Sequence, residues 1–145
     1  MAKSEIDLRT TDSILGELNR VQQAVRERAY ALFEKNAGGH GDPLLDWLTA
    51  EQEIIWKPPL EIVRRDGHYD VLAATAGVAA EDLNVQVTPD DLLIEAVARD
   101  PQLFGSVHFP EKIDPNSVTA TYKHGVLRLT AAIMTPPTVS AERRP

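Results

Sequence analysis

Four histidines are the side chains of this chain best suited to acid–base or metal chemistry, because imidazole titrates near neutral pH and is a common metal ligand. They are His40, His68, His108 and His124. No two of them are spaced four residues apart on a predicted helix, and three lie at predicted turns or strand edges. A zinc site needs several ligands of fixed type that converge on one point. The pattern therefore predicts no metal site.

Nucleophilic catalysis has no better support in the sequence. The chain contains no cysteine, which removes thiolate catalysis, disulfides and cysteine-based zinc sites together. Ser106 lies close to His108, but the sequence around it lacks a nucleophile elbow and a recognisable orienting acid. The stretch 38–41 is rich in glycine but lacks the preceding strand and the Lys-Ser/Thr pair of a phosphate-binding loop. We therefore expect no catalytic residue, no cofactor and no enzymatic activity.

Charge and composition argue against two classes of partner. The formal net charge is −7, from 15 basic and 22 acidic residues, and only 6% of the residues are aromatic. A nucleic-acid surface needs clustered basic residues or a platform of aromatic side chains, so we expect no nucleic-acid partner. No run approaches the roughly 20 apolar residues of a membrane span. The N-terminal sequence is charged and lacks the apolar core of a signal peptide, so we expect a soluble, cytoplasmic protein without a membrane partner.

The elements that position these residues begin with a helical hairpin, predicted over residues 1–57. Residues 1–11 are expected to form a loose polar tail. Apolar residues then recur at steps of three and four, which is the helical period: they are Leu15, Leu18, Val21, Val25, Ala29, Leu32 and Phe33. Asp42 and Pro43 are typical of the start of a second, shorter helix, and Pro58 favours its end before Lys57.

Two helices alone bury too little apolar surface to be stable, so their apolar stripes need a further partner. That partner is the rest of the chain, a second subunit or a bound protein. We expect the helices to associate through four residues and to form a homodimer or a small homo-oligomer. These residues are Leu18, Val25, Leu32 and Leu48.

Residues 58–134 are predicted to form an antiparallel β-sandwich. About seven short runs of strand-forming residues are separated by turn signals, which is typical of that architecture. Asp66-Gly67 and His124-Gly125 each join two alternating runs and predict hairpins, with Gly125 supplying the positive φ of a tight turn. Residues 135–145 are rich in proline and polar residues and are expected to form a flexible tail.

The sequence from Trp56 to Ile133 resembles the α-crystallin domain of small heat-shock proteins. The most specific match runs from Ala120 to Leu127 and fits the family signature through Ala120, Gly125, Val126 and Leu127. Glu81–Val87 is similar to the family's Glu-Asp-Ile-x-Val-x-Val strand, and Phe109–Asp114 is similar to its Leu-Pro-Glu-x-Val-Asp segment. The order and spacing of these matches make the resemblance specific.

This resemblance implies a mainly β protein, with an immunoglobulin-like sandwich preceded by the helical hairpin. It also implies an ATP-independent holdase, which binds unfolded or partly folded client proteins and prevents their aggregation. In the family, a groove between two strands accepts an extended peptide. The corresponding residues here are Val85, Val87, Val118 and Ala120. Each is equally compatible with an ordinary core position, because parity does not tell which face of a strand is buried.

Three departures from the family pattern bear on assembly. The segment 99–103 is too short to hold the extra strand that bacterial members exchange in their dimers. Gly105 stands where the family has an arginine, and Val139 has no apolar neighbour with which to form the family's Ile-x-Ile/Val tail motif. A short-loop sandwich also resembles p23-like co-chaperones. The alternative is therefore a co-chaperone or scaffold module whose helical hairpin binds one specific partner.

The helical part has a resemblance of its own. Ala24–Trp56 is similar to a small bacterial two-helix module of unknown function, through a pattern of charged and aromatic residues around Tyr30 and Trp47. This resemblance implies no activity. It indicates a compact helical hairpin.

Overall fold

The computed structural model describes residues 6–36, 42–75 and 77–134. The helices are α1 (Leu15–Lys35) and α2 (Pro43–Ile54). The strands are β1 (Asp7–Thr10), β2 (Ile55–Trp56), β3 (Leu60–Arg65), β4 (His68–Ala74), β5 (Asn84–Val87), β6 (Asp91–Ala96), β7 (Gln102–His108), β8 (Thr119–Lys123) and β9 (Val126–Ala132). The expected tail 135–145 and the stretch 38–41 with His40 lie outside the described residues.

The strands form two sheets that face each other, which confirms the expected sandwich. The first sheet has the order β1-β5-β6-β7-β2 and the second has the order β3-β4-β9-β8. All neighbours within the second sheet are antiparallel, as are the β5-β6 and β6-β7 pairs. The two outermost strands of the first sheet, β1 and β2, pair in parallel with β5 and β7.

The main core lies between the sheets, because each strand turns one parity of its apolar residues inward. Tyr69 stacks on Phe109 there, with ring centroids 5.4 Å apart. The other buried members are Val71, Ala73, Leu83, Val85, Val87, Leu92, Ile94, Ala96, Leu103, Val107, Ile113, Val118, Leu127, Leu129 and Ala131.

A second cluster joins the helices to the outer face of the first sheet. Leu93 and Phe104 point away from the main core and pack with apolar residues of α1 and α2. The helical partners are Val21, Val25 and Ala50, with Ile14 and Ile55 at the helix ends. The side chain of Asp42 accepts a hydrogen bond of 3.0 Å from the N–H of Leu44, which confirms it as the cap of α2. The second helix and the sheet therefore supply the surface that the stripe of α1 requires.

Two short strands correct the sequence prediction. Residues 7–10 were expected within a loose tail, and residues 55–56 at the end of the helical hairpin, yet both segments are strands. The reason is that the edges of β5 and β7 present unpaired backbone groups, which a neighbouring extended segment satisfies. The N-terminal region therefore runs along one edge of the first sheet, crosses its outer face and then runs along the other edge in the same direction.

Both predicted hairpin turns are confirmed. Arg65 pairs with His68 across Asp66-Gly67, and Gly67 has a φ of 79°. Lys123 pairs with Val126 across His124-Gly125. His124 and Gly125 both have positive φ, at 54° and 77°. Consecutive positive φ angles suit a two-residue hairpin, because they match the twist of the strands it joins.

Candidate peptide-binding groove

The strands β5 and β8 lie along the same side of the sandwich. Gly105 of β7 faces β3: a Cβ added to it would lie 3.2 Å from the side chain of Leu60. Because β7 lies over β3 at one side, the opposite sides of the two sheets, with β5 and β8, come together at the other. This is the pair of strands from which the sequence predicts a groove.

The four predicted groove residues belong to the same apolar cluster. Val85 and Val87 of β5 are fully buried, and Val118, just before β8, is 7% exposed. Ala120 of β8 is half-buried and packs against the same cluster. The structure brings these residues together, but they are covered within the chain. Their role in binding a peptide stays a prediction.

The segment that covers this side is β1, whose role the sequence analysis missed. Leu8 pairs with Val85 in register, and Thr10 pairs with Val87. The N–H of Asp7 donates to the carbonyl of Leu83 at 3.0 Å, and the N–H of Thr11 donates to the carbonyl of Val87 at 2.9 Å. Backbone hydrogen bonds therefore hold an extended segment along the whole edge of β5.

Side chains of β1 and of Ile6, the residue before it, alternate between the core and the solvent. Ile6 and Leu8 are half-buried and pack against the main core. Asp7 and Arg9 point outward and form an ion pair of 2.6 Å, with a hydrogen bond from Arg9 that lowers the pKa of the Asp7 carboxyl. The pattern Ile6-Asp7-Leu8-Arg9 is itself an alternation of period two, and that was the signal available in the sequence.

The signature residues build the corner at the end of β8. Leu127 is fully buried, while Val126 is 40% exposed. The carbonyl of Gly125 accepts hydrogen bonds from the backbone N–H and the hydroxyl of Thr75, at 2.9 and 3.1 Å. The Thr75 hydroxyl also contacts the hydroxyl of Tyr122 at 2.8 Å. These hydrogen bonds hold the end of β8 against the segment that leads from β4 into β5. They therefore set the position of β8 relative to β5, the two strands of the candidate groove.

At the opposite side of the sandwich, the edge of β7 is closed by β2. Ile55 pairs with Gln102 and Trp56 pairs with Leu103. The Arg99 guanidinium lies 4.5 Å from the ring centroid of Trp56, which is cation–π geometry. The short connection between β6 and β7 is therefore held against the chain's own second strand.

The four residues expected to form a helical association face differ in how exposed they are. Val25 is 2% exposed and belongs to the cluster between the helices and the first sheet, so its partner is the rest of the chain and it is not open to a second copy. Leu18 and Leu32 are half-buried against the same cluster. Leu48 is 45% exposed, next to the exposed Leu44 and Leu45 of α2. An open apolar surface is therefore left on α2.

An ion cluster links α1 to the outer face of the first sheet. Arg20 donates to Glu17 at 2.9 Å and to Glu95 of β6 at 3.2 Å. Glu95 is 5% exposed. Burial raises the pKa of its carboxyl to about 7, with a further contribution from the neighbouring Glu17. In the sequence, Glu95 is the only acid in the apolar run 92–98, and that was the signal for this cluster.

Two of the described histidines each lie beside a different carboxylate. His68 lies 3.7 Å from Asp70, and His108 lies 3.0 Å from Asp91. Residues 6–36, 42–75 and 77–134 contain no group of three His, Cys, Asp or Glu residues that could hold a metal ion. Over the same ranges, no helix is long and apolar enough to cross a membrane.

Comparisons with known proteins agree with this architecture. The family model of the Hsp20/alpha crystallin family matches residues 61–144, which is more than half of the chain. The family model "Protein of unknown function (DUF2934)" matches residues 21–55. Among curated proteins, nothing matches the chain.

Solved structures show the same fold. Heat shock protein 16.0 from Schizosaccharomyces pombe superposes with a TM-score of 0.50 at 18% identity, over 55% of this chain and 88% of that chain. HSP18.5 from E. histolytica superposes with a TM-score of 0.50 at 17% identity, over 55% of this chain and 90% of that chain. At these identities the likeness concerns the fold of the sandwich.

Proposed function

The chain belongs to the Hsp20/alpha crystallin family, and we propose that it is an ATP-independent holdase. It binds extended segments of unfolded or partly folded client proteins and keeps them from aggregating. Capture of this kind needs accessible backbone and apolar surface but no chemical step, so the protein acts as a binding protein and not as an enzyme. We further propose that it works in the cytoplasm. The family match does not favour a p23-like co-chaperone.

One observation carries the proposal. The edge of β5 holds an extended segment through backbone hydrogen bonds, and it accepts Ile6 and Leu8, two residues apart, against the core. Addition of a strand to a sheet edge is a general mode of peptide recognition, in which the backbone gives affinity and alternate side chains give specificity. Unfolded proteins offer such segments in abundance.

The binding surface is formed by the residues that the sequence analysis selected. In this proposal Val85 and Val87 form one wall, and Val118 and Ala120 form the other. All four are apolar and belong to one cluster, so they would offer a client segment an apolar surface. Such a site favours apolar residues in general over one particular sequence, which suits a protein with many clients.

The test is the aggregation of a heat-labile client, such as citrate synthase, followed by light scattering at raised temperature without ATP. We expect the purified protein to suppress scattering at a subunit ratio near one to one. Serum albumin at the same mass concentration is the control for non-specific protection. Scattering that rises equally fast with this protein and with albumin would refute the holdase function.

We also propose that the protein forms a homodimer or a small homo-oligomer through its helices. The support is the exposed apolar surface of α2, where Leu44, Leu45 and Leu48 are 66%, 58% and 45% exposed. An apolar patch on a surface helix favours association because association removes it from water.

A further inference from the structure

The outer face of the second sheet carries a charged cluster around Asp70. The Asp70 carboxylate accepts a hydrogen bond of 2.7 Å from Nε of Arg65 and one of 3.0 Å from Nη2 of Arg128. Both donors contact the same carboxylate oxygen, while Thr130 and His68 lie against the other oxygen, at 3.0 and 3.7 Å. The two guanidiniums are therefore held side by side, although they belong to β3 and β9, the two neighbours of β4.

The two arginines of this cluster are accessible from solvent. Both described helices pack on the outer face of the first sheet, against Leu93 and Phe104. The side chains of Arg65 and Arg128 are 55% and 54% exposed, whereas that of Asp70 is 2% exposed. The arginine side chains thus cover the carboxylate and present the rest of their surface to solvent.

Most N–H donors of these two guanidiniums are not used within the chain. A guanidinium has five N–H groups, and in the described part of the chain each of the two donates a single hydrogen bond, to Asp70. Arg64, the neighbour of Arg65 on β3, is different. It donates from two nitrogens to the two oxygens of Glu111, at 2.6 and 3.2 Å. One carboxylate therefore occupies the fork of Arg64, whereas Arg65 and Arg128 share one carboxylate between them.

Charge and geometry indicate the class of ligand that fits these donors. Two guanidiniums and one carboxylate leave a net positive charge on this face, in a chain whose formal net charge is −7. The planar fork of arginine matches the oxygens of carboxylates and phosphates, and paired forks favour an anion with more than two acceptor oxygens. A carboxylate offers only two oxygens, while a phosphate group offers at least three. Two adjacent guanidiniums therefore suit a phosphate group better than a second carboxylate.

We propose that Arg65 and Arg128 together bind a phosphate group, through the N–H donors that Asp70 leaves unused. The ligand is a free phosphate ion or a phosphate monoester, which share this chemistry. The site uses neither the helices nor the residues of the candidate groove. It therefore adds a ligand to the protein and does not depend on the holdase function.

The first test is a titration of the full chain with inorganic phosphate at pH 8, where the ion is mainly dianionic, followed by the side-chain NMR resonances of the arginines. The signals of Arg65 and Arg128 should shift and saturate. Sodium chloride at matched ionic strength is the control for screening and should not reproduce the shifts. Glycerol 3-phosphate is the second probe. Binding of both probes supports a site that also takes esters, and binding of inorganic phosphate alone supports a site for the free ion. Binding of neither would overturn the proposal.

Substitutions of single arginines test which side chains bind the ion. Arg65→Gln and Arg128→Gln should each weaken phosphate binding about tenfold, which corresponds to the loss of one charge-assisted hydrogen bond. Arg64→Gln is the matched control, because Arg64 lies on the same strand and is 54% exposed, yet its fork is occupied by Glu111. It should leave the affinity unchanged. An equal loss of affinity in all three variants would show a general attraction to positive charge and would overturn the proposal.

Arg65→Lys separates recognition by the fork from an effect on folding. Lysine keeps the positive charge and a donor for Asp70 but lacks the planar fork. A thermal unfolding curve checks that this variant folds as the unmodified chain does. It should still bind phosphate more weakly than the unmodified chain. An unchanged affinity would mean that the charge alone attracts the ion, and it would overturn the proposed site.

Discussion

Asp70 and Glu95 are buried carboxylates, one on the outer face of each sheet, and their pKa values are shifted in opposite directions. Asp70 is 2% exposed on β4 and accepts hydrogen bonds from Arg65, Arg128 and Thr130, at 2.7, 3.0 and 3.0 Å. Burial by itself would raise the pKa of Asp70, but these three donors outweigh it and lower the pKa to about 2. Glu95 shares the single guanidinium of Arg20 with Glu17, so burial dominates and its pKa is raised to about 7.

The substitution Glu95→Gln should stabilise the protein at pH 8 and leave it almost unchanged at pH 4. The carboxyl of Glu95 binds its proton more tightly in the folded state than in the unfolded state, where its pKa is near 4.5. The unmodified protein therefore loses stability as the pH rises from about 4.5 to about 7. Glutamine does not ionise, so we expect a gain of roughly 1–3 kcal/mol at pH 8. Urea unfolding at both pH values measures it.

Asp70→Asn is the matched control, because its effect has the opposite sign. The carboxylate of Asp70 stabilises the folded state at pH values above its unfolded pKa near 3.8, and that contribution is lost as the pH falls through about 2. We expect Asp70→Asn to lower the free energy of unfolding by about 2 kcal/mol at pH 7.

If Glu95→Gln changes the free energy of unfolding by the same amount at pH 4 and pH 8, ionisation of the buried Glu95 does not cause the loss of stability at high pH.

Among the elements, the β8–β9 hairpin depends on backbone conformation more than on side-chain space. A Cβ added to Gly125 would meet only the backbone nitrogen of Gly77, at 3.8 Å, which is ordinary contact. The requirement for glycine there comes from its φ of 77°. His124 also has a positive φ, at 54°, and carries the cost of a side chain in that region.

We expect Gly125→Ala to destabilise the protein by about 1 kcal/mol, because alanine is strained in the left-handed region. The measurement is chemical unfolding at pH 7. His124→Gly is the matched control at the neighbouring position, and it should be neutral or stabilising, since it relieves the same kind of strain. A loss of stability from His124→Gly as large as that from Gly125→Ala would show that the turn is held by side-chain contacts and not by backbone conformation.

Elements with strong local patterns could be predicted from the sequence. The stripe of α1, the Asp42-Pro43 start of α2 and the two hairpin turns each carry their signal within a few neighbouring residues. The strands β1 and β2 could not be predicted in the same way, since they are only four and two residues long and pair with strands far along the chain. Their stability comes from the edge they complete and not from their own propensity.

The sequence can predict which residues cluster at the candidate groove, but not which of their faces is buried or what covers them. Parity and resemblance selected Val85, Val87, Val118 and Ala120, and these residues do lie in one cluster. Which of their faces is buried depends on the opposite sheet, and what covers them depends on β1. Neither fact is encoded near these residues in the sequence.

At the scale of the whole molecule, the N-terminal region surrounds the first sheet. β1 and β2 complete its two edges, and α1 and α2 lie over its outer face. Removing residues 1–57 would therefore uncover Leu93 and Phe104 and change much more than assembly. A test of association through the helices needs substitutions on the open side of α2 instead.

The double substitution Leu44→Glu and Leu48→Glu should reduce the solution mass to that of a monomer. Both side chains are exposed within one chain, so the fold should tolerate the change, while charges of like sign would oppose an apolar contact between copies. Light scattering coupled to size exclusion measures the mass. Val97→Glu is the control, since Val97 is 59% exposed on the connection after β6. A mass unchanged by the α2 substitutions would exclude association through this face.

The long sequence separation between β1 and β5, and between β2 and β7, also determines the order in which the protein is completed during synthesis. Translation delivers Asp7–Thr10 and Ile55–Trp56 before their partners Asn84–Val87 and Gln102–His108 exist. Until the ribosome has released the strand that carries Phe104, the apolar side of α1 lacks its sheet. A nascent chain of this protein is thus a segment with exposed apolar surface for most of its synthesis. During that time the protein itself meets the description of a chaperone client.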